Sequence, residues 1–215
     1  MSNRKVVVFD LDDTLLNEID YLKSAFLEIA LFVDSENKLL YSQMLGWYEN
    51  KDNVFDKIIE IYPNQVLEQL IFNYRNHIPT IQFTEETINL LKDLKKQNCI
   101  LGIISDGRSI TQRNKLLNAG QFDLWDKVII SEEFGSEKPC EENYKEFDVF
   151  GKADYYYIAD NTKKDFIAPN KLGWTTVCLL DSGINIHKQN FDLHLDFLPK
   201  FKIKRLCEVK KIILS

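Results

Sequence analysis

The stretch Val6-Val7-Val8-Phe9-Asp10-Leu11-Asp12-Asp13-Thr14 joins an unbroken apolar run to an acidic turn. A short run of β-branched and aromatic residues without polar alternation suits a strand buried on both faces, and such strands belong to parallel sheets. The carboxylates of Asp10, Asp12 and Asp13 then fall at the carboxyl end of a central strand, where open α/β sheets place their ligands. Taken alone, the acidic pentapeptide reads equally well as a turn that caps the following helix.

Working outward, Ile100 to Ile104, Val128 to Ile130, Tyr155 to Ala159 and Thr175 to Leu180 repeat the apolar pattern, with helical patterns between most of them. This alternation predicts an α/β fold with a Rossmann-like parallel sheet core and helices on both faces. Ser109 and Gln112 have capping-box spacing, and Gly120 stands where that helix would stop. Thr84, with Glu85 and Glu86 behind it, opens a helix carrying Ile88, Leu91 and Leu94 on one face. Between Leu15 and Thr84 the rhythm breaks, because roughly seventy residues without a convincing strand far exceed one crossover. Ile19, Leu22, Phe26, Ile29 and Val33 recur there at helical spacing, and further helical patterns follow around Leu39 to Tyr48, Val54 to Tyr62 and Val66 to Tyr74. The organisation expected is a core of residues 1–16 and 83–215 with an all-helical cap inserted at 17–82.

Of the 215 residues, 45% are hydrophobic and 28% charged, and the formal charge is -6. This is a soluble globular profile that counts against long nucleic acid as a partner. The longest uncharged apolar stretches, such as Cys99 to Ser105, fall far short of the ~20 residues of a membrane-spanning helix. Arg4 and Lys5 precede an apolar run too short for a signal-peptide core, so the expected location is cytoplasmic. Cys99, Cys140, Cys178 and Cys207 are scattered, which predicts neither a disulfide framework nor a zinc site, and Cys99 and Cys178 read as buried thiols. Lys200, Lys202, Lys204, Arg205, Lys210 and Lys211 alternate with apolar residues as a solvated face does.

Asp10, Asp12 and Thr14 form a D-x-D-x-T motif at a strand end, and three more segments follow in order. These are Ile103-Ile104-Ser105-Asp106-Gly107, then Gly135 with Lys138-Pro139 and Phe147, then Tyr157-Ile158-Ala159-Asp160 with Asp165. In these four motifs the chain resembles the haloacid dehalogenase-like (HAD) hydrolase superfamily from Val6 to about Leu180, in its helical-capped (C1 cap, subfamily I) phosphatase-like branch. One departure is Ala159, where glycine is usual. The resemblance implies that Asp10 attacks phosphorus to form an aspartyl-phosphate and that Asp12 protonates the leaving oxygen and later activates water. It further implies phosphoryl binding by Thr14, Ser105, Asp106, Gly107 and Lys138, with Lys138 also neutralising Asp10. A magnesium ion would be held by Asp10, Asp12 through its backbone carbonyl, Asp160 and Asp165.

Residue by residue, plainer readings stay open: Ser105-Asp106-Gly107 as a turn, Lys138 as a solvated lysine, Asp165 as a helix cap. The chemistry is coherent, since a carboxylate nucleophile splits ester hydrolysis into two displacements once a cation offsets its repulsion from the phosphate. Thr14 to Ser105 spans 91 positions, whereas Ser105 to Lys138 spans 33 and Lys138 to Asp160 spans 22, so only the first interval holds a cap. The expected function is a magnesium-dependent phosphatase of a small phosphorylated metabolite. Retention of Asp12 disfavours dehalogenation, while a phosphomutase or a non-catalytic binding or regulatory domain remain the alternatives. The insert is expected to be a mobile lid, with Tyr21, Trp47, Tyr48 and Arg75 as candidates to touch the leaving group and a core role equally open to the aromatics.

Overall fold

The structure, a computed structural model describing residues 4–214, begins with β1 (Arg4–Phe9). Val6 to Phe9 are fully buried: Val7 and Phe9 enter one apolar cluster, Val6 and Val8 another. Alternate side chains of a strand point to opposite faces, so both faces of β1 are covered and the strand is central.

Four helices follow: α1 (Glu18–Val33), α2 (Leu40–Glu49), α3 (Val54–Ile61) and α4 (Leu67–Asn76). Their apolar stripes meet in a cluster of their own around Phe26, Ile29, Met44, Ile58 and Leu70. Helix α3 starts at Asn53, whose Oδ1 accepts from the amides of Phe55 and Asp56 at 3.2 and 3.4 Å and so satisfies two donors the first turn leaves free. The chain returns through α5 (Glu85–Lys96), which Thr84 caps as expected by accepting from the Thr87 amide at 3.1 Å.

Strands and helices then alternate: β2 (Ile100–Ser105), α6 (Ser109–Ala119), β3 (Lys127–Ile130), α7 (Ser131–Phe134), α8 (Glu141–Lys145), β4 (Ala153–Ala159), α9 (Ile167–Lys171) and β5 (Thr175–Leu179). The order β3-β2-β1-β4-β5-β6 is completed by β6 (Phe201–Ile203), and all five pairings are parallel. After β6 comes α10 (Val209–Leu214). Helices α5, α6 and α10 cover one face, α8 and α9 the other. Val8 lies between Gly102 of β2 and Tyr157 of β4, so β1 ends level with both neighbours. Their loops therefore emerge together.

One local expectation changes, the cap of α6, while the basic residues from Lys200 to Lys211 are exposed as expected. Ser109 does not cap α6, because its Oγ donates to Glu133 and Gln112 turns inward to Asp12 and Ser105. The basic C-terminal segment contains β6, whose short Phe-Lys-Ile run carries too little pattern to stand out. Cys99 and Cys178 are buried free thiols, and no helix among the described residues is long and apolar enough to cross a membrane.

Candidate active site

The acidic loop is shaped by what it buries. Leu11 is fully buried and its carbonyl accepts from the amides of Leu15 and Leu16 at 2.9 and 3.1 Å. Asp13 takes a left-handed conformation (φ 53°), which aspartate tolerates better than most side chains. Its carboxylate accepts from the amides of Glu18 at 2.9 Å and Ile186 at 3.0 Å, so it braces the loop. Asp10 and Asp12 remain to face the cleft.

Asp10 is buried at the end of β1, anchored by its amide donating to the Ile158 carbonyl of β4 at 2.9 Å. The buried Lys138 ammonium sits 2.8 Å from Asp10 Oδ1 and 2.8 Å from Asp165 Oδ1. Burial opposes that charge, but Asp10 and Asp165 outweigh it and hold the lysine well above its usual range. Lys138 is thus a fixed cation between Asp10 and Asp165. Asp165 accepts from the Asn161 amide at 2.9 Å, which ties it to the loop after β4 and not to a helix start.

Asp160, at the end of β4, completes a cluster in which single carboxylate oxygens of Asp10, Asp160 and Asp165 lie within 4.8 Å of one another. One ammonium faces three carboxylates. Burial, and then the charge of Asp10 and Asp165, push Asp160 up to about 9, and burial raises Asp10 to about 7 against the pull of Lys138. Such a carboxylate excess is what a hard cation relieves, and an all-oxygen donor set suits magnesium. Asn185 donates to Asp160 Oδ2 at 2.8 Å, brought there by a turn in which Asp181 accepts from the amides of residues 183, 184 and 185.

The side chain of Asp12 is turned away from this cluster. Its Oδ1 pairs with the buried Lys115 at 2.6 Å, and its Oδ2 accepts from Gln112 at 2.9 Å. Gln112 also donates to Ser105 Oγ at 2.5 Å, so the hydroxyl of Ser105 is engaged inside this network. Asp106 braces neighbouring loops, accepting from the Lys138 amide at 3.0 Å and pairing with Lys164 at 2.6 Å. The Gly107 amide donates to Ser131 Oγ at 2.9 Å, and Thr14 Oγ1 is buried without a partner among the described residues.

Asp10, Asp12, Asp160 and Lys138 all line one cavity of about 80 Å³, together with Glu18, Lys164 and His187. Thr14, Ser105 and Gly107 lie outside it. Asp12 and Glu18 also line a second cavity of about 310 Å³ between α1, α4 and α6, where Tyr21 and Arg75 reach it. Trp47 and Tyr48 instead pack on the core of the four-helix segment.

Sequence reasoning missed Gln112, Lys115, Glu18, Asn185 and His187. A signal existed for two of them, because Gln112 and Lys115 share the inward stripe of Leu116 and Ala119 at helical spacing. Asn185 and His187 sit in irregular chain without periodicity.

The Rossmann-like sheet thus carries a carboxylate cluster and a buried lysine at the carboxyl edge of its central strands. The family model described as haloacid dehalogenase-like hydrolase matches residues 7–179. The chain belongs to that family and is a hydrolase of it. A glyceraldehyde 3-phosphate phosphatase of Methanocaldococcus jannaschii is 30% identical over 97% of this chain and 96% of its own. The putative HAD-hydrolase YfnB of Bacillus subtilis is 24% identical over 99% and 97%. The solved structure of YfnB, described as bound to magnesium and as revealing interdomain movement, superposes with a TM-score of 0.70 at 18% identity over the whole of both chains. An L-2-haloacid dehalogenase of Xanthobacter autotrophicus shares the fold at a TM-score of 0.63, 15% identity and 99% coverage of each chain.

Proposed function

We propose that the chain is a magnesium-dependent phosphatase of a small phosphorylated metabolite, working through an aspartyl-phosphate on Asp10, with residues 17–82 as a cap on a core of 1–16 and 83–215. The observation that carries this reading is Lys138 bonded to Asp10 and Asp165 with Asp160 beside them. It leaves a held nucleophile next to an uncompensated carboxylate pair.

Asp10, Asp160, Asp165 and the Asp12 backbone carbonyl would hold the ion. When bound, magnesium would offset the repulsion between the phosphate and these carboxylates. Lys138 fixes Asp10 Oδ1, which leaves Oδ2 to attack phosphorus. As that bond forms, the bond from phosphorus to the ester oxygen breaks and a proton from the Asp12 carboxyl passes to the leaving oxygen. In the second half Asp12 takes a proton from water, the oxygen of that water bonds phosphorus, and Asp10 is released. Asp12 lines both cavities, so it stands where the phosphoryl group and the leaving group meet. The four-helix segment excludes bulk water and large substrates from that junction.

The relatives named glyceraldehyde 3-phosphate phosphatases put triose phosphates first among substrates to try. The test is phosphate release from a panel of small esters, with magnesium and with a chelator, by the wild type and Asp10→Asn. Release that needs both magnesium and Asp10 is expected. Wild-type rates in Asp10→Asn, or full activity after thorough chelation, would overturn the reading.

A further inference from the structure

The chain between β5 and β6 belongs to none of the four motifs, yet its own side chains fold it into a strap over the ends of β4 and β5. Asp181 Oδ1 accepts from the amides of Gly183, Ile184 and Asn185 at 2.7, 3.0 and 3.1 Å, which closes a turn. Gln189 fixes that turn to the sheet. Its Oε1 accepts from the Asp181 amide at 3.0 Å, and its Nε2 donates to the carbonyls of Asp160 and Leu179 at 2.8 and 2.7 Å. On the other flank the Ile186 amide donates to Asp13 at 3.0 Å, and the Ile186 side chain packs on the apolar cluster of the four helices. Asn185 is thus held from both sides while its side-chain amide donates to Asp160 Oδ2 at 2.8 Å.

The other carboxylates of the cluster are held in the same manner. Lys138 engages Oδ1 of both Asp10 and Asp165, and the Asn161 amide donates to Oδ2 of Asp165. Each of the three carboxylates therefore has at least one oxygen taken by a protein donor, and a carboxylate so engaged offers an ion one oxygen more readily than two. Magnesium demands near-octahedral geometry, keeps several waters and binds through few carboxylates, whereas calcium gathers roughly six to eight oxygens and accepts carboxylates through both of theirs.

We propose that Asn185 is a positioning residue that, by holding Asp160 Oδ2, sets the preference of the cluster for magnesium over calcium. The assignment rests on the magnesium reading of the cluster and deepens it. Without the Asn185 amide, Asp160 is free to turn about its side-chain bonds and present both oxygens, which the larger shell of calcium uses and the magnesium octahedron does not. Lys138 and Asn161 do not substitute for it, since they hold only Asp10 and Asp165.

The experiment titrates magnesium alone and calcium alone into the full chain by calorimetry, without substrate, in the wild type, Asn185→Ala and Asn185→Leu, with a thermal midpoint for each in chelator. The ratio of the calcium Kd to the magnesium Kd should fall about tenfold or more in both variants, the scale expected when the outer partner of a metal ligand is lost. Leucine keeps a volume close to that of asparagine without a donor, so a failure of Asn185→Ala to fold leaves the second variant to decide. An unchanged ratio in a folded variant, or equal weakening of both ions as a general loosening of the loop would give, would overturn the assignment. Absence of magnesium binding by the wild type would overturn the metal reading and this one with it, whereas magnesium binding with an unaltered ratio in the variants would overturn this one alone.

Discussion

Lys138 carries two carboxylates on one ammonium, and its side chain is 1% exposed. Removing a buried charge from such a group leaves the others uncompensated, at a cost of about 3–5 kcal/mol. Lys138→Met should therefore lower the unfolding free energy measured in urea by that order when magnesium is omitted, and an unchanged midpoint would mean that Asp10 and Asp165 do not depend on it. Asp12 is engaged from both oxygens by Lys115 and Gln112, which orient it beside the cavity between α1, α4 and α6. Asp12→Asn should cut turnover of alkyl phosphates about 10² to 10⁴-fold, the usual range for losing a general acid, with a smaller loss for good leaving groups. Equal losses on both kinds of ester would argue against proton delivery by this residue. The first motif was legible because its carboxylates directly follow four apolar residues. The partners of Asp12 were not, since a glutamine and a lysine on a helix declare their direction only once the opposing loop is in place.

Strands and helices were legible wherever a stripe was long enough to show its period. The stripe from Ile19 to Val33 became α1, and the run Val6 to Phe9 became the central part of β1. The edge strand β6, with only three residues, and the chain between β5 and β6 have no period to read. That irregular chain delivers Asn185 to Asp160 and the Ile186 amide to Asp13 through side-chain and backbone bonds, which hydropathy cannot register. Packing between elements is also invisible in sequence. Gly102 of β2 lies beneath Phe147, and a Cβ there would stand 2.2 Å from the Phe147 ring. Gly102→Ala should cost about 1–3 kcal/mol, the usual price of overpacking, seen as a lower thermal midpoint. A Phe147→Leu change in the same chain should recover part of the loss, and no recovery would place the strain elsewhere.

At the scale of the whole molecule, the sheet and the returning loops hold more negative charge at one edge than one lysine offsets. The folded protein keeps a proton on Asp160 up to about pH 9, whereas an ordinary aspartate releases it near 3.8, so between those values the folded state binds more protons. Stability contributed by this group is full below the lower value and is lost as pH rises through the upper one. In chelator, Tm should fall as pH rises from about 5 to about 9, and magnesium should raise Tm more at the upper pH, where the carboxylates are free to bind it. An equal magnesium shift at both pH values would remove the cation from the cluster. The central claim, a covalent phosphoryl group on Asp10, is tested most directly by acid-quenching the enzyme during turnover of an aryl phosphate and mapping its peptides by mass. The account predicts a phosphoryl adduct on the peptide that contains Asp10, absent in Asp10→Asn; turnover with the adduct on another residue, or unimpaired turnover in Asp10→Asn, would contradict it.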